Sequence, residues 1–171
     1  MIDSFTRENL ETILLEAYGS FEMPNFSFVE RRAKRKPYEK LLQTLSKMFD
    51  VTDQTDFNYA VCLSLLISLD EKSWVLDLSL VGPFAVFLRV EDRKGAHACK
   101  LLNEENFTAE ESKLGVEIEK AGLLLMKKTD LEMPVAMPMS LAVPEDVAVY
   151  HALFSDVYAL PWSLPEGISF N

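Results

Sequence analysis

Cysteine is scarce in this sequence, and long hydrophobic runs are missing. Two cysteines, Cys62 and Cys99, in 171 residues are too few for the disulfide scaffold of a small secreted domain. No apolar stretch approaches the ~20 residues that cross a bilayer. The glycines number six and are scattered. No G-x-x-x-x-G-K or G-x-G-x-x-G spacing occurs, which removes the commonest phosphate-cradling loops. A G-x-S-x-G nucleophile elbow is also missing. Met1-Ile2-Asp3-Ser4-Phe5 lacks a basic region followed by an apolar one, so no secretion signal is read there. Together these features predict a cytoplasmic protein with free thiols and no membrane partner. Positive charge is short as well: 17 Lys+Arg stand against 27 Asp+Glu, a net charge of −10. Phosphate affinity needs clustered cations, so nucleic acid is not an expected partner. An acidic field suits a basic protein, and it also simply keeps a protein soluble.

What is present is ordinary globular composition, 49% hydrophobic and 26% charged. A chain of this length buries roughly 70% of the surface its unfolded form exposes, so it needs neither metal nor disulfide to hold a core. One α+β domain over 1–171 is expected. Thr6 to Tyr18 reads as a helix, with Leu10, Ile13, Leu14 and Ala17 on one face, Thr6 as its cap and Gly19 as its stop. Pro37 to Phe49 reads as a second helix with an apolar stripe through Leu41, Leu42, Leu45 and Phe49. Asp50 to Asp56 reads as a polar turn.

Period-two alternation follows. Odd positions are apolar from Tyr59 to Leu69, and even positions from Trp74 to Leu80 and from Phe84 to Val90. This predicts an antiparallel three-stranded meander over 59–90, with turns at Asp70-Glu71-Lys72-Ser73 and Gly82-Pro83. Helices are expected on one sheet face, with Leu63, Leu76 and Val86 pointing together. The other face would carry Ser64, Ser68, Asp77, Ser79 and Arg89 outward. After a turn at Asp92-Arg93-Lys94-Gly95, Ala96 to Leu102 reads as a fourth strand. Thr108-Ala109-Glu110-Glu111 matches a capping box, and the helix after it carries Leu114, Ile118, Ala121 and Leu125. Thr129 to Val143 reads as an extended crossing. Pro144 opens a last helix with His151 on its inner face, which Pro161 stops. Ile168 and Phe170 anchor the tail. In all, about four helices should pack the sheet.

Chemical candidates are few. Ala96-His97-Ala98-Cys99 would place a histidine and a thiol on the same side of a strand, a spacing open to a nucleophile and its base. Cys62, His97, Cys99 and His151 could supply a tetrahedral metal set. No C-x-x-C or H-x-x-x-H spacing supports a metal, and no sequence motif supports a thiol catalyst, so no cofactor and no metal are expected. The basic run Arg31-Arg32-Ala33-Lys34-Arg35-Lys36 stands out in an acidic chain. It is open to an anionic partner, a nuclear address or a short helix capped by Ser27, and is weighed mainly as a solvated connection. The acidic candidates for partner binding are Asp50, Asp53 and Asp56 after the second helix, Asp77 on the outer sheet face, and Glu104, Glu105, Glu110 and Glu111. The last group equally suits the start of a helix.

Leu78-Ser79-Leu80-Val81-Gly82-Pro83-Phe84-Ala85 resembles a pattern of small bacterial toxin–immunity proteins. Val149-Tyr150-His151-Ala152-Leu153-Phe154-Ser155-Asp156, followed by Leu160-Pro161-Trp162, is similar to the same group. The resemblance implies a protein-binding module that neutralises a toxin domain, a basic nuclease for example, by tight binding rather than by catalysis. Two other readings compete: a secretion-chaperone-like protein holding an extended effector segment, and an enzyme whose site is dispersed along the chain. The oligomeric state is left open.

Overall fold

The continuous apolar run Phe84-Ala85-Val86-Phe87-Leu88 sets the plan of the molecule. Both parities of that strand are apolar, so both its faces must be covered. The computed structural model describes residues 7–93 and 96–163; for 92, 93, 96 and 97 it describes the backbone alone. Its helices are α1 (Arg7–Tyr18), α2 (Phe28–Lys34), α3 (Glu39–Leu45), α4 (Ala109–Lys120), α5 (Lys128–Leu131) and α6 (Val149–Leu153). Its strands are β1 (Asp50–Asp53), β2 (Cys62–Leu69), β3 (Lys72–Ser79), β4 (Phe84–Arg93), β5 (Ala96–Leu101) and β6 (Leu124–Leu125). The first five form an antiparallel sheet in chain order, and β6 pairs parallel with the start of β4. This is the expected α+β class. The meander over 59–90 and the fourth strand are both present, and β1 and β6 extend them.

The one-faced sheet does not survive. Leu63 pairs with Leu78, Leu65 with Leu76, and Leu76 with Phe87, whereas Asp77 pairs with Val86. Directly paired residues share a face, so Val86 points away from Leu63 and Leu76. The alternation in β4 could not choose a side because its odd positions, Ala85 and Phe87, are as apolar as its even ones. Two cores result. On the first face Leu65, Ile67, Trp74, Leu76, Leu78 and Phe87 pack against Leu41 and Leu45 of α3 and Leu114 and Ile118 of α4. On the second, Cys62, Phe84, Val86 and Leu88 pack against Leu10, Leu14 and Tyr18 of α1, Phe28 of α2, and Tyr150, Leu153 and Phe154 at α6. Of the polar set expected outside, Asp77 at 5% and Ser79 at 0% exposure are buried, Ser64 and Ser68 are half-buried, and Arg89 lies on the first face, paired with Trp74.

Other differences are local. Asp50 to Asp56 is not only a turn, because its first four residues pair with β2 as an edge strand. The second helix is shorter than its stripe and starts after Lys36, which sits at φ 49°. The basic run from Arg31 to Lys34 is part of α2, with Arg31, Arg32 and Lys34 in its last turn, where cations complement the dipole. Ser27 precedes α2 without a side-chain cap. Leu125 belongs to β6 instead of the helix before it. Pro144 opens a 3₁₀ turn (Pro144–Asp146), and α6 starts later. Gly19 stops α1 at φ 76°, as expected. Thr108 and Glu111 form the capping box reciprocally. Thr6, Lys94, Gly95, Ile168, Phe170 and the side chain of His97 lie outside the described residues.

Candidate functional site

The second face of the sheet is not covered to its end. Beyond α6 the chain turns back, and its backbone joins the start of β2: Val61 N–H donates to Phe154 O at 2.8 Å and Asp156 N–H to Tyr59 O at 2.8 Å. Between this return segment and the sheet lies a cleft of about 790 Å³. Its floor is Cys62 and Ser64 of β2 and Asp77 of β3, with Tyr150 of α6 behind them. Its rim is Gln54, Asp56 and Tyr59 on one side and Ser155 to Ala159 on the other. Three aspartates and three tyrosines line it, and none of the described lining residues is Lys, Arg or His.

The three aspartates differ in what they already hold. Asp156 accepts backbone N–H bonds from Ser140 (2.6 Å), Leu141 (2.9 Å) and Ala142 (3.0 Å), which moulds the 140–142 loop onto the cleft. Asp56 is exposed and accepts from the backbone and side-chain nitrogens of Asn58 at 3.0 and 2.7 Å. Asp77 is set by the register of β3, facing Ser64 across one strand boundary and Val86 across the other. Its Oδ1 is buried and has no hydrogen-bond partner. Burial pushes the Asp77 carboxyl up to about 6, against the opposing pull of the Ser64 and Tyr150 hydroxyls. Tyr150 is fixed by stacking on Phe154 at 5.6 Å and by an edge contact with Trp162 at 5.3 Å. Burial, and then Asp77, raises the Tyr150 hydroxyl well above its ordinary range. The thiols of Cys62 and Cys99 are both raised, first by burial and then by Asp77, which works against thiolate formation. His151 does not face a metal set. Its Nδ1 accepts the Ala148 N–H at 3.0 Å, and burial lowers its pKa. Among the described residues no three His, Cys, Asp or Glu side chains are placed so that they could hold a metal ion together.

The eight acidic candidates therefore separate. Asp56 and Asp77 meet at the cleft, while Asp50 and Asp53 lie exposed on the neighbouring β1. Asp77 is not on an outer face: helices cover both sides of β3, which corrects the expectation for that residue. Glu104 and Glu105 are exposed in a 3₁₀ turn before α4, and Glu110 pairs with Lys72 at 3.0 Å. Glu111 is 0% exposed, so it is no open contact for a partner. Arg89 donates to both its oxygens at 2.6 Å, Trp74 Nε1 to Oε1 at 2.8 Å, and Thr108 N–H to Oε2 at 2.7 Å. Burial alone would raise this carboxyl, but those bonds, led by Arg89, hold it at about 2.

Sequence reasoning missed Tyr59, Ser64, Tyr150, Asp156 and Tyr158 as site residues. The one signal for them was an aspartate amid apolar neighbours in Val75-Leu76-Asp77-Leu78. Among the described residues no helix is long and apolar enough to cross a membrane. No protein-family model, curated protein or solved structure matches the chain.

Proposed function

We propose that the chain is a protein-binding module of the immunity or inhibitor type, which neutralises a basic toxin domain by seating it over the Asp77 cleft. The observation that carries this reading is a buried carboxylate with an unpartnered oxygen at the floor of a cleft whose charged lining residues are all acidic. Leaving such an oxygen unpaired is costly unless something arrives to pair it. The rim adds exposed aromatic area, with Tyr59 at 49% and Tyr158 at 79% exposure. Tyrosines around a desolvated centre are the usual anchors of protein interfaces. The net charge of −10 raises encounter rates with a basic partner. Tyr150, Ser155 and Asp156 belong to one of the stretches that resemble toxin–immunity proteins, and they line this cleft.

The test is co-expression with the proteins encoded on either side of the gene, any toxin-like domain first. Protection of the host cell together with a stoichiometric purified complex is the expected result. Neither protection nor a complex would overturn the reading. One observation favours an enzyme instead: a carboxyl pushed up to about 6 in a cleft is the kind of group that moves protons near neutrality. Turnover of a small molecule that stops on Asp77→Asn would select that second reading.

A further inference from the structure

We propose that the Asp77 cleft takes one arginine side chain of the protein partner, its guanidinium set against the Asp77 carboxylate and beside the rim tyrosines. The proposal rests on the binding-module reading and names what that module recognises. Charge gives the sign of the occupant. Three carboxylates line the cleft with no cation among the described lining residues, so an anionic group would meet only repulsion there.

Geometry narrows the occupant further. Asp156 is engaged with three backbone N–H groups, and Asp56 sits out on the rim with Asn58. Asp77 is the lining carboxylate with a buried oxygen left free. Asp77 Oδ1 is sealed from the cleft as the side chains stand, so the guanidinium meets it when the carboxylate turns toward the cleft, where a planar fork of five donors serves that oxygen and the neighbouring Ser64 hydroxyl. Its flat, weakly hydrated face also stacks on aromatic rings, which Tyr59 and Tyr158 present at the rim. An ammonium is a compact and strongly hydrated charge, so desolvating a lysine at the same floor is harder. The cleft volume, about 790 Å³, accommodates a long side chain with part of the backbone that carries it.

The experiment is a titration of the full chain with N-acetyl-arginine methylamide, followed by amide NMR, with the lysine analogue run in parallel. Saturable shifts at Ser64, Asp77 and Tyr150 are expected, with a dissociation constant on the order of 1 mM for a ligand of this size. The lysine analogue should bind at least a few-fold more weakly. Asp77→Asn should weaken the arginine probe by about tenfold or more while its melting temperature does not fall, as for loss of a charge-assisted hydrogen bond. Tyr158→Ala, at an exposed position, should weaken it by roughly two- to fivefold. Absence of saturable shifts, or equal binding by folded Asp77→Asn, overturns the proposal. Equal binding of the lysine analogue overturns the assignment to arginine. If the probe fails while the co-expressed complex still forms, this inference falls and the binding module stands. If the probe binds in the cleft and no partner complex forms, the module falls and the arginine-type cation site stands.

Discussion

Glu111 and Asp77 are both buried carboxylates, and they approach β3 from opposite sides. Glu111 comes from α4 and meets Trp74 on the first face; Asp77 belongs to β3 and points from the second. Glu111 is surrounded by donors from Arg89, Trp74 and Thr108. Asp77 keeps an oxygen with no partner. One strand thus carries a completed ionic network and an incomplete one, within the same sheet. A completed network specifies how α4 and the Asn103–Thr108 connection seat on the sheet. An incomplete one lowers stability until a ligand completes it, which is the character of a binding site.

The comparison is most easily broken at its satisfied end. Arg89→Ala strands a buried Glu111 and should destabilise the fold by about 3–5 kcal/mol, measured by urea unfolding. A loss under ~1 kcal/mol would mean that Glu111 reaches water or another donor. The same carboxyl gives the acid limb of stability. Its pKa is lowered in the fold from 4.5 to about 2, so its contribution is present above about 4.5 and is lost as pH falls toward 2. Gly115→Ala tests the seating of α4. A Cβ there would lie 2.7 Å from the Phe107 ring, which itself meets Phe87 edge-on at 5.9 Å. Thermal unfolding should show a loss of roughly 1–3 kcal/mol, since overpacking outweighs the gain in helix propensity. The exposed acids mark the smallest effect. Glu104→Lys and Glu105→Lys should each stay within about 0.5 kcal/mol of the parent.

Much of this architecture was legible beforehand. The capping box at Thr108, the stop at Gly19 and the strands of the meander follow from local chemistry that tertiary contacts do not override. The sheet's second cover was not, because a strand such as β4 with apolar residues at both parities carries no phase. That single ambiguity turned Asp77 from an expected surface acid into the floor of a cleft. It also hid Tyr150, which α6 carries onto the second face, and Asp156, which reaches the site because the chain after α6 pairs back onto residues 59–61. β1 and β6 were missed for a simpler reason: at four and two residues they are too short to show a period. Glu111 shows the limit of composition. The capping box set it apart from its neighbour Glu110, but only the fold brings Arg89 and Trp74 to it.

The most direct test of the central contrast is the stability of Asp77→Asn relative to the parent between pH 4 and 8. In the fold the Asp77 carboxyl is raised from 3.8 to about 6. It therefore does not penalise the fold below the unfolded value, and the penalty grows as pH rises from there to about 6, levelling off above at roughly 3 kcal/mol. The groups that face it, Cys62 and Tyr150, and Cys99 beyond them, are raised and stay neutral over this range. His151, lowered by burial, costs stability as pH falls below about 6.5, but it does so in both proteins and cancels in the difference. The asparagine amide still needs partners, so the net gain should be smaller than the full penalty. The account predicts a variant that is more stable than the parent by roughly 1–2 kcal/mol at pH 8, with the advantage nearly level down to about pH 6 and shrinking below it toward pH 4. A variant that is less stable at pH 8, or a difference that does not change with pH, would contradict it.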